Sequence, residues 1–441
     1  MFDPVLISGY GWVSPLGSVE SEFDAQLFGG HCAVRAQEIR LPGQDVFYAP
    51  VSSCDLDVTT VTSPSKVPLD RGSAFALKAA RSALVNAGFA EQNGDDQKTF
   101  QLNLNGVDST RVGVFWGCGM GGAYSFDQSA IQIYQHSKRP RPTSVITTMP
   151  NSAAAELALM VKAQGASMTY SCACASSSIA IGEAMRALRL GWLDIALVGG
   201  SEAMLSPGVL ACWNALRVLP PLKPDTQENL STSRICRPFS KDRGGFAMGE
   251  GAAAFVLERA DHANQRGVKT KFHLSGYATN CDATHMTHPD ATGQVRVMQA
   301  ALKDAGLKAA DIDYINAHAT ATTAGDVAEV SSVTQVFGEQ VPISSTKAQF
   351  GHMLGAAGAL ELVACLRALE HNALPPNANL SRADTEFNLN FVAQKNPLSE
   401  PHNHTFKGFS DKSNASDAIK HALSNSFAFG GTNAVLIASK V

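Results

Sequence analysis

What most constrains this chain is an alternation that runs from end to end. Short runs of β-branched and apolar residues take turns with Ala-rich stretches of helical periodicity. Strand-like runs fall at 4–11 (PVLISGYG), 111–117 (RVGVFWG), 167–172 (SMTYSC), 194–200 (DIALVGG) and 253–259 (AAFVLER). A second set falls at 271–279, 313–319, 341–346 and 434–439. Helical patterns lie between them, near 70–88, 151–163, 174–190, 294–305, 325–337 and 355–371. Strands that are apolar on both faces need cover on both faces, so the pattern predicts an α/β chain with sheets buried beneath helices. The two sets meet near residue 260 and predict a duplicated unit, 1–260 followed by 261–441, although no sequence repeat links them. Only 17% of the 441 residues are charged and 45% are hydrophobic. A soluble domain usually carries about a quarter charged residues, so a large core or a broad subunit interface is expected. The polar tracts 35–66, 91–110 and 221–236 read as surface excursions, and 386–420 as a long irregular connection.

Charge and cysteine usage exclude several classes. The net charge is −4, so no overall basic field points to nucleic acid. Nine cysteines are present, an odd number, without CxxC spacing. That argues against a disulfide framework or a zinc site, predicts no metal, and favours a reducing cytoplasm. The start, MFDPVLISGYGWVSPLG, lacks a basic n-region and is broken by Gly and Pro, unlike a signal peptide. The most apolar long segment, GHMLGAAGALELVACLRALEH, contains Glu361 and Arg367. It reads as a buried helix and not as a membrane span.

The stretch YSCACASSSIA (170–180) places Cys172 and Cys174 at the junction of a strand and a helical pattern that ends at Gly191. Cys174 falls in the expected first helical turn. Unpaired N–H groups there favour a thiolate and lower the cysteine pKa, and they can also hold a developing oxyanion. Cys172 is expected to point away and pack. On this segment alone, both thiols could equally be small buried hydrophobes. NAHATATTAGDVAEV places His318 at a strand end, and SSTKAQFGHMLGAAGALE places His352 in a Gly-rich turn before a helix. Single histidines are commonly satisfied core residues, but both of these occupy strand-to-helix junctions, as Cys174 does. Such junctions are where sites assemble in α/β sheets. NSFAFGGTNAVLI (425–437) is a Gly-rich turn whose backbone can approach a substrate.

ACASS, NAHATATTAGD, STKAQFGHMLGAAGALE, RPFSKDRGGFAMGEGAA and NSFAFGGTN, in this order, resemble the β-ketoacyl-acyl-carrier-protein synthases of the elongating type. The resemblance covers essentially the whole chain. It implies a thiolase-like fold, two βαβαβαββ halves forming a five-layered αβαβα core, and a dimer. It implies decarboxylative condensation of an acyl chain with malonyl-acyl carrier protein, with no cofactor beyond the carrier's phosphopantetheine. Cys174 would then be the acyl-accepting nucleophile, and His318 and His352 would promote decarboxylation. Lys347 would be the buried lysine, paired with Glu329. The N–H groups of Cys174 and Phe429 would form the oxyanion hole, and Thr320 and Thr322 would bind the pantetheine arm. Phe427, Ala428 and Phe429 would form the gate, with Met120 and Trp213 lining the acyl pocket. Lys138, Arg139, Arg141 and Arg217 would dock the acidic carrier protein.

Five positions depart from the family pattern: Ala319 and Ala321 in HATAT, Ala428 in FAFGG, Trp213 where phenylalanine is usual, and Met120 where a smaller aliphatic residue often limits the acyl pocket. They leave open a specialised polyketide or polyene synthase, working as a homodimer or paired with a chain-length subunit. A thiolase needs a second cysteine near the C-terminus, and none follows Cys365. Synthases that start chains from acyl-CoA pair Cys with His and Asn, a pattern not seen after His352.

Overall fold

The computed structural model describes residues 4–91, 100–222, 232–380, 383–384, 386–394 and 418–441. Most of the tract 386–420 therefore lies outside the described residues. The main sheet has ten strands: β1 (Val5–Val13), β2 (Val112–Gly117), β3 (Ser167–Tyr170), β4 (Ile195–Glu202), β5 (Gly251–Arg259), β6 (Phe272–Cys281), β7 (Tyr314–Asn316), β8 (Ile343–Ser344), β9 (His421–Phe427) and β10 (Thr432–Lys440). Across the sheet they run β8-β7-β9-β10-β6-β1-β5-β4-β2-β3. Counted from the outer edge, each half has the same order: third, second, fourth, fifth, first. The halves meet where β1 pairs antiparallel with β6. In both, the two outer pairings are parallel and the inner ones antiparallel.

Six helices complete the repeat: α1 (Arg71–Asn86), α2 (Ser152–Val161), α3 (Ser176–Arg189), α4 (Ala291–Ala305), α5 (Thr323–Phe337) and α6 (Ala357–His371). Each half thus reads β-α-β-α-β-α-β-β, the thiolase-like arrangement. Helices α3 and α6 touch one another and strands of both halves, which makes them the central layer. Their sequences show why. In α6 every residue from Ala357 to Leu369 is buried, and in α3 Ser176–Gly182 is buried throughout. Helix α1 covers β1 and β5 on one outer face, and α4 covers β6 and β10 on the other. Small residues permit the close approach: a Cβ at Gly117 would sit 2.3 Å from the backbone of Ser177.

The strand at His421–Phe427 was not legible as a strand. Its middle, Ser424-Asn425-Ser426, is fully buried and reads as polar, yet the last two of these side chains bond inside the core. Asn425 Nδ2 donates to Glu329 Oε1 at 3.0 Å, and Ser426 Oγ meets Ser178 Oγ at 2.8 Å. Among the described residues no helix is long and apolar enough to cross a membrane.

Candidate active site

The site grows from one structural device used twice. After β3 the chain makes a single 3-10 turn, Ala173–Ala175, and then enters α3; after His352 it makes another, Leu354–Ala356, and enters α6. Each turn begins with a non-glycine residue at positive φ, Ala173 at 47° and Leu354 at 39°, a conformation that sterics disfavour. The turns pack on each other between the halves. Cys174 lies on the 3-10 turn, not in the first turn of the helix as expected. Its Sγ stands 2.9 Å from His352 Nε2.

Burial dominates the electrostatics. Cys174 is 6% exposed. Burial pushes its thiol up to about 12, while the charge of Lys347 and the backbone N–H groups of Phe429 and Cys174 act the other way. The expected lowering is therefore overturned: desolvation of the thiolate outweighs the helix-end contribution, and the resting group is a thiol. The two N–H groups nevertheless lie at the sulfur, where an oxyanion of an attacked thioester would form. His318 and His352 are both held well below the usual histidine range, first by burial and then by the charge of Lys347. Both rings are neutral. Their centroids lie 5.5 Å apart, nearly perpendicular at 83°, and Phe246 packs edge-on against His352 at 5.1 Å. His352 N–H is anchored on Ala247 O at 2.7 Å.

The expected pairing of Lys347 with Glu329 is corrected. Lys347 Nζ bonds Glu361 Oε1, and both side chains are fully buried. Glu329 instead accepts from the backbone N–H groups of His318 (2.9 Å) and Ala319 (2.6 Å) and from Asn425. A carboxylate beside two turn amides and a side-chain amide satisfies all three, so it orients the His318 turn. Glu361 had a sequence signal: it is the single charged residue in the apolar stretch 357–366, and a buried acid there requires a partner. Glu202, at the end of β4, had none. It accepts from the N–H groups of Gly119 (2.6 Å), Met120 (3.1 Å) and Gly355 (3.0 Å), fastening the turn that follows His352 to the N-terminal half. Burial raises its carboxyl to about 7.

Two family models match this chain: the beta-ketoacyl synthase N-terminal domain over residues 2–263 and its C-terminal domain over 272–381. The chain belongs to the beta-ketoacyl synthase family. A 3-oxoacyl-[acyl-carrier-protein] synthase 2 of Rhizobium meliloti (strain 1021) is 34% identical, with 98% of each chain covered. Among solved structures, a type II polyketide acyl carrier protein in complex with its ketosynthase bound to the hexaketide superposes with a TM-score of 0.83 at 27% identity, covering both chains in full. A ketosynthase in complex with its chain length factor from Xenorhabdus doucetiae gives a TM-score of 0.78 at 26% identity, covering 100% of this chain and 98% of that one. The synthase is accordingly an acyltransferase-type condensing enzyme with a thiolase-like fold.

A cavity of about 250 Å³ opens on Cys174, His318 and His352. Its walls include Thr320, Thr322, Trp213, Phe427, Ala428 and Phe429. The synthase thus brings the residues expected of a gate, an arm site and a pocket to one opening. Thr320 Oγ1 and Thr322 Oγ1 lie 3.0 Å apart. Trp213 stacks on Phe429, with centroids 6.3 Å apart at 21°. Met120 is the exception: it lies outside that wall, 38% exposed on the turn after β2. Arg217 is exposed between the cavity-wall residues Leu216 and Val218. Lys138, Arg139 and Arg141 are also exposed, but they line a separate cavity with Tyr124 and Thr147. In the gate turn, Gly430 and Gly431 take the positive φ values, 85° and 72°; Ala428 does not need one.

Proposed function

We propose that the synthase carries an acyl chain as a thioester on Cys174 and condenses it with malonyl-acyl carrier protein to give a 3-oxoacyl-acyl carrier protein. The observation that carries this reading is the 2.9 Å contact between Cys174 Sγ and His352 Nε2, with His318 beside it in one apolar cavity. In the first half-reaction, Sγ attacks the acyl thioester carbonyl. Its proton passes to His352 Nε2 and then to the departing pantetheine thiolate. The N–H groups of Cys174 and Phe429 hold the tetrahedral oxyanion. In the second, the malonyl thioester oxygen accepts hydrogen bonds from His318 and from His352, whose single ring proton must by then sit on Nε2. The neutral state of both rings supports this role, because each then offers one N–H. The C–C bond to the carboxylate breaks, carbon dioxide leaves, and the enolate carbon so formed attacks the acyl carbonyl. Cys174 thiolate leaves and takes up a proton from solvent. Thr320 and Thr322 guide the pantetheine arm, and Arg217 with Lys138, Arg139 and Arg141 meets the acidic carrier; no other cofactor is called for.

Intact-mass measurement after mixing with a panel of acyl carrier thioesters tests this reading. Acyl mass on Cys174, lost in Cys174→Ala, is the expected result; acyl mass on Cys172 refutes it.

A second subunit of the same fold is the partner we infer. Strand β3 is a free sheet edge, and Phe126, Val145, Ile146, Met149 and Met168 are exposed on segments around it. Apolar surface of that kind marks an interface. Structural neighbours that pair a ketosynthase with a chain length factor favour a polyketide-type assembly as the second reading. Mass determination in solution, alone and after co-expression with a chain-length homologue, distinguishes the two.

A further inference from the structure

We propose that Cys174, His318 and His352 also form a binding site for one soft or borderline divalent cation of the zinc class, and that this ion reversibly inhibits the synthase. The sequence gives no sign of such a site, because its ligands come from three separate segments. In space, one sulfur and one ring nitrogen from each histidine lie within 4.8 Å of one another, all on buried residues. Zinc binds sulfur at about 2.3 Å and imidazole at about 2.0–2.1 Å, which puts tetrahedral ligand atoms roughly 3.3–3.6 Å apart. Sγ and His352 Nε2, now 2.9 Å apart, need to open by about 0.4–0.7 Å to reach that range, and a pair at the 4.8 Å limit must close by about 1.2–1.5 Å. The fourth position faces the cavity and is left for water or an incoming thiol.

Charge in the surroundings favours a divalent ion. The charge of Lys347 opposes a cation here, but its partner Glu361 offsets it in part, and Glu329 behind His318 adds a carboxylate. Once the thiol has lost its proton, one divalent cation balances the thiolate and Glu329 together. In the binding step the S–H bond breaks, an S–metal bond forms, the proton goes to solvent, and nothing is oxidised or reduced. The nitrogen–sulfur donor set selects zinc, cobalt or cadmium over magnesium and calcium, which prefer oxygen. His352 Nδ1 has no hydrogen-bond partner among the described residues. A ligand that lacks an outer partner is a weaker base, so the ion is exchangeable rather than resident, and it competes with acyl chains for Cys174.

Cobalt(II) tests this without any activity assay. Chelator-treated synthase titrated with cobalt chloride should develop a thiolate-to-cobalt charge-transfer band that saturates at one equivalent, with about one proton released per ion. Zinc should abolish the band and a hundredfold excess of magnesium should not. Alkylation of Cys174 in the wild-type protein, verified by peptide mapping, should remove it, as should Cys174→Ala. His318→Ala should weaken cobalt binding by more than about tenfold. Replacing the exposed Cys212 and Cys281 by serine should leave the band intact. A band that survives Cys174 alkylation or Cys174→Ala, or the absence of any band in the wild type, overturns the proposal.

Discussion

The buried Lys347–Glu361 pair allows a prediction whose size follows from the structure. Both side chains are 0% exposed, so neither can recruit water if the other is removed. Glu361→Gln leaves an ammonium in the core without its counter-charge, and breaking a buried pair in this way costs about 3–5 kcal/mol. Unfolding entropy near 2.1 cal/mol/K per residue, over 441 residues, amounts to about 0.9 kcal/mol per degree. The expected fall in Tm is therefore about 3–5 °C, read by calorimetry at a fixed scan rate. The double variant Lys347→Met/Glu361→Leu removes both charges and keeps volume, and such replacements are neutral or stabilising; its Tm should return to the wild-type value or exceed it. Catalysis should not return with it. Lys347 is one of the charges that hold both histidines neutral, so the double variant should lose malonyl decarboxylation at mildly acidic pH even though it is fully folded. A double variant as unstable as Glu361→Gln would refute the ion-pair reasoning. A stable double variant with an unchanged pH profile would refute the electrostatic link to the histidines.

The remaining expectations concern the same cavity. Because burial holds His318 and His352 well below 6.5, the acid limb of malonyl decarboxylation should lie below pH 6.5. Stability should also fall with pH from that point, since the unfolded chain takes up protons that the folded one refuses. One unit below 6.5 this amounts to about 1.4 kcal/mol for each histidine, measurable as a denaturant midpoint at pH 5.5 against pH 7.5. His352→Ala should slow both acylation of Cys174 and decarboxylation, whereas His318→Ala should abolish decarboxylation and spare acylation, as followed by intact mass and by carbon dioxide release. Ala428→Gly should widen the range of acyl chains loaded onto Cys174, because glycine adds about 0.5–1 kcal/mol of backbone freedom to the gate; an unchanged acyl panel would move selectivity to Trp213 and its stack on Phe429.

Legibility followed the physics of each feature. Strands β1, β2, β4, β5, β6 and β10 announced themselves as apolar runs because both of their faces are covered. Strand β9 did not, because its buried Asn425 and Ser426 bond Glu329 and Ser178 across the core, and a hydropathy pattern cannot register that. Cys174, His318 and His352 were legible as strand-to-helix junction residues, and the family motifs then gave them partners. Their ionisation was not legible: a helix start says the thiol pKa falls, whereas three-dimensional burial raises it. The partner of Lys347 was misassigned for a related reason. Glu329 and Glu361 are both buried acids on helices, and only the packing of α6 against the site decides between them. Met120, carried over from the family pattern as a pocket residue, is 38% exposed and outside the cavity wall of this chain.

The duplicated turn explains why the catalytic pair meets at all. Each catalytic segment enters its helix through a 3-10 turn opened by a residue at positive φ. One such turn would aim a thiol at whatever lies opposite. Two of them, Ala173–Ala175 and Leu354–Ala356, occupy matching positions in halves with the same strand order and pack on each other, which brings Cys174, inside the first turn, against His352, two residues before the second. Glu202 then holds the arrangement in register by accepting N–H groups from both halves at once. On this account, backbone strain at Ala173 and Leu354 is what the fold tolerates to bring sulfur and imidazole within 2.9 Å. The central helices must be uninterruptedly buried for the same reason, since only close packing across α3 and α6 can hold two disfavoured turns in place.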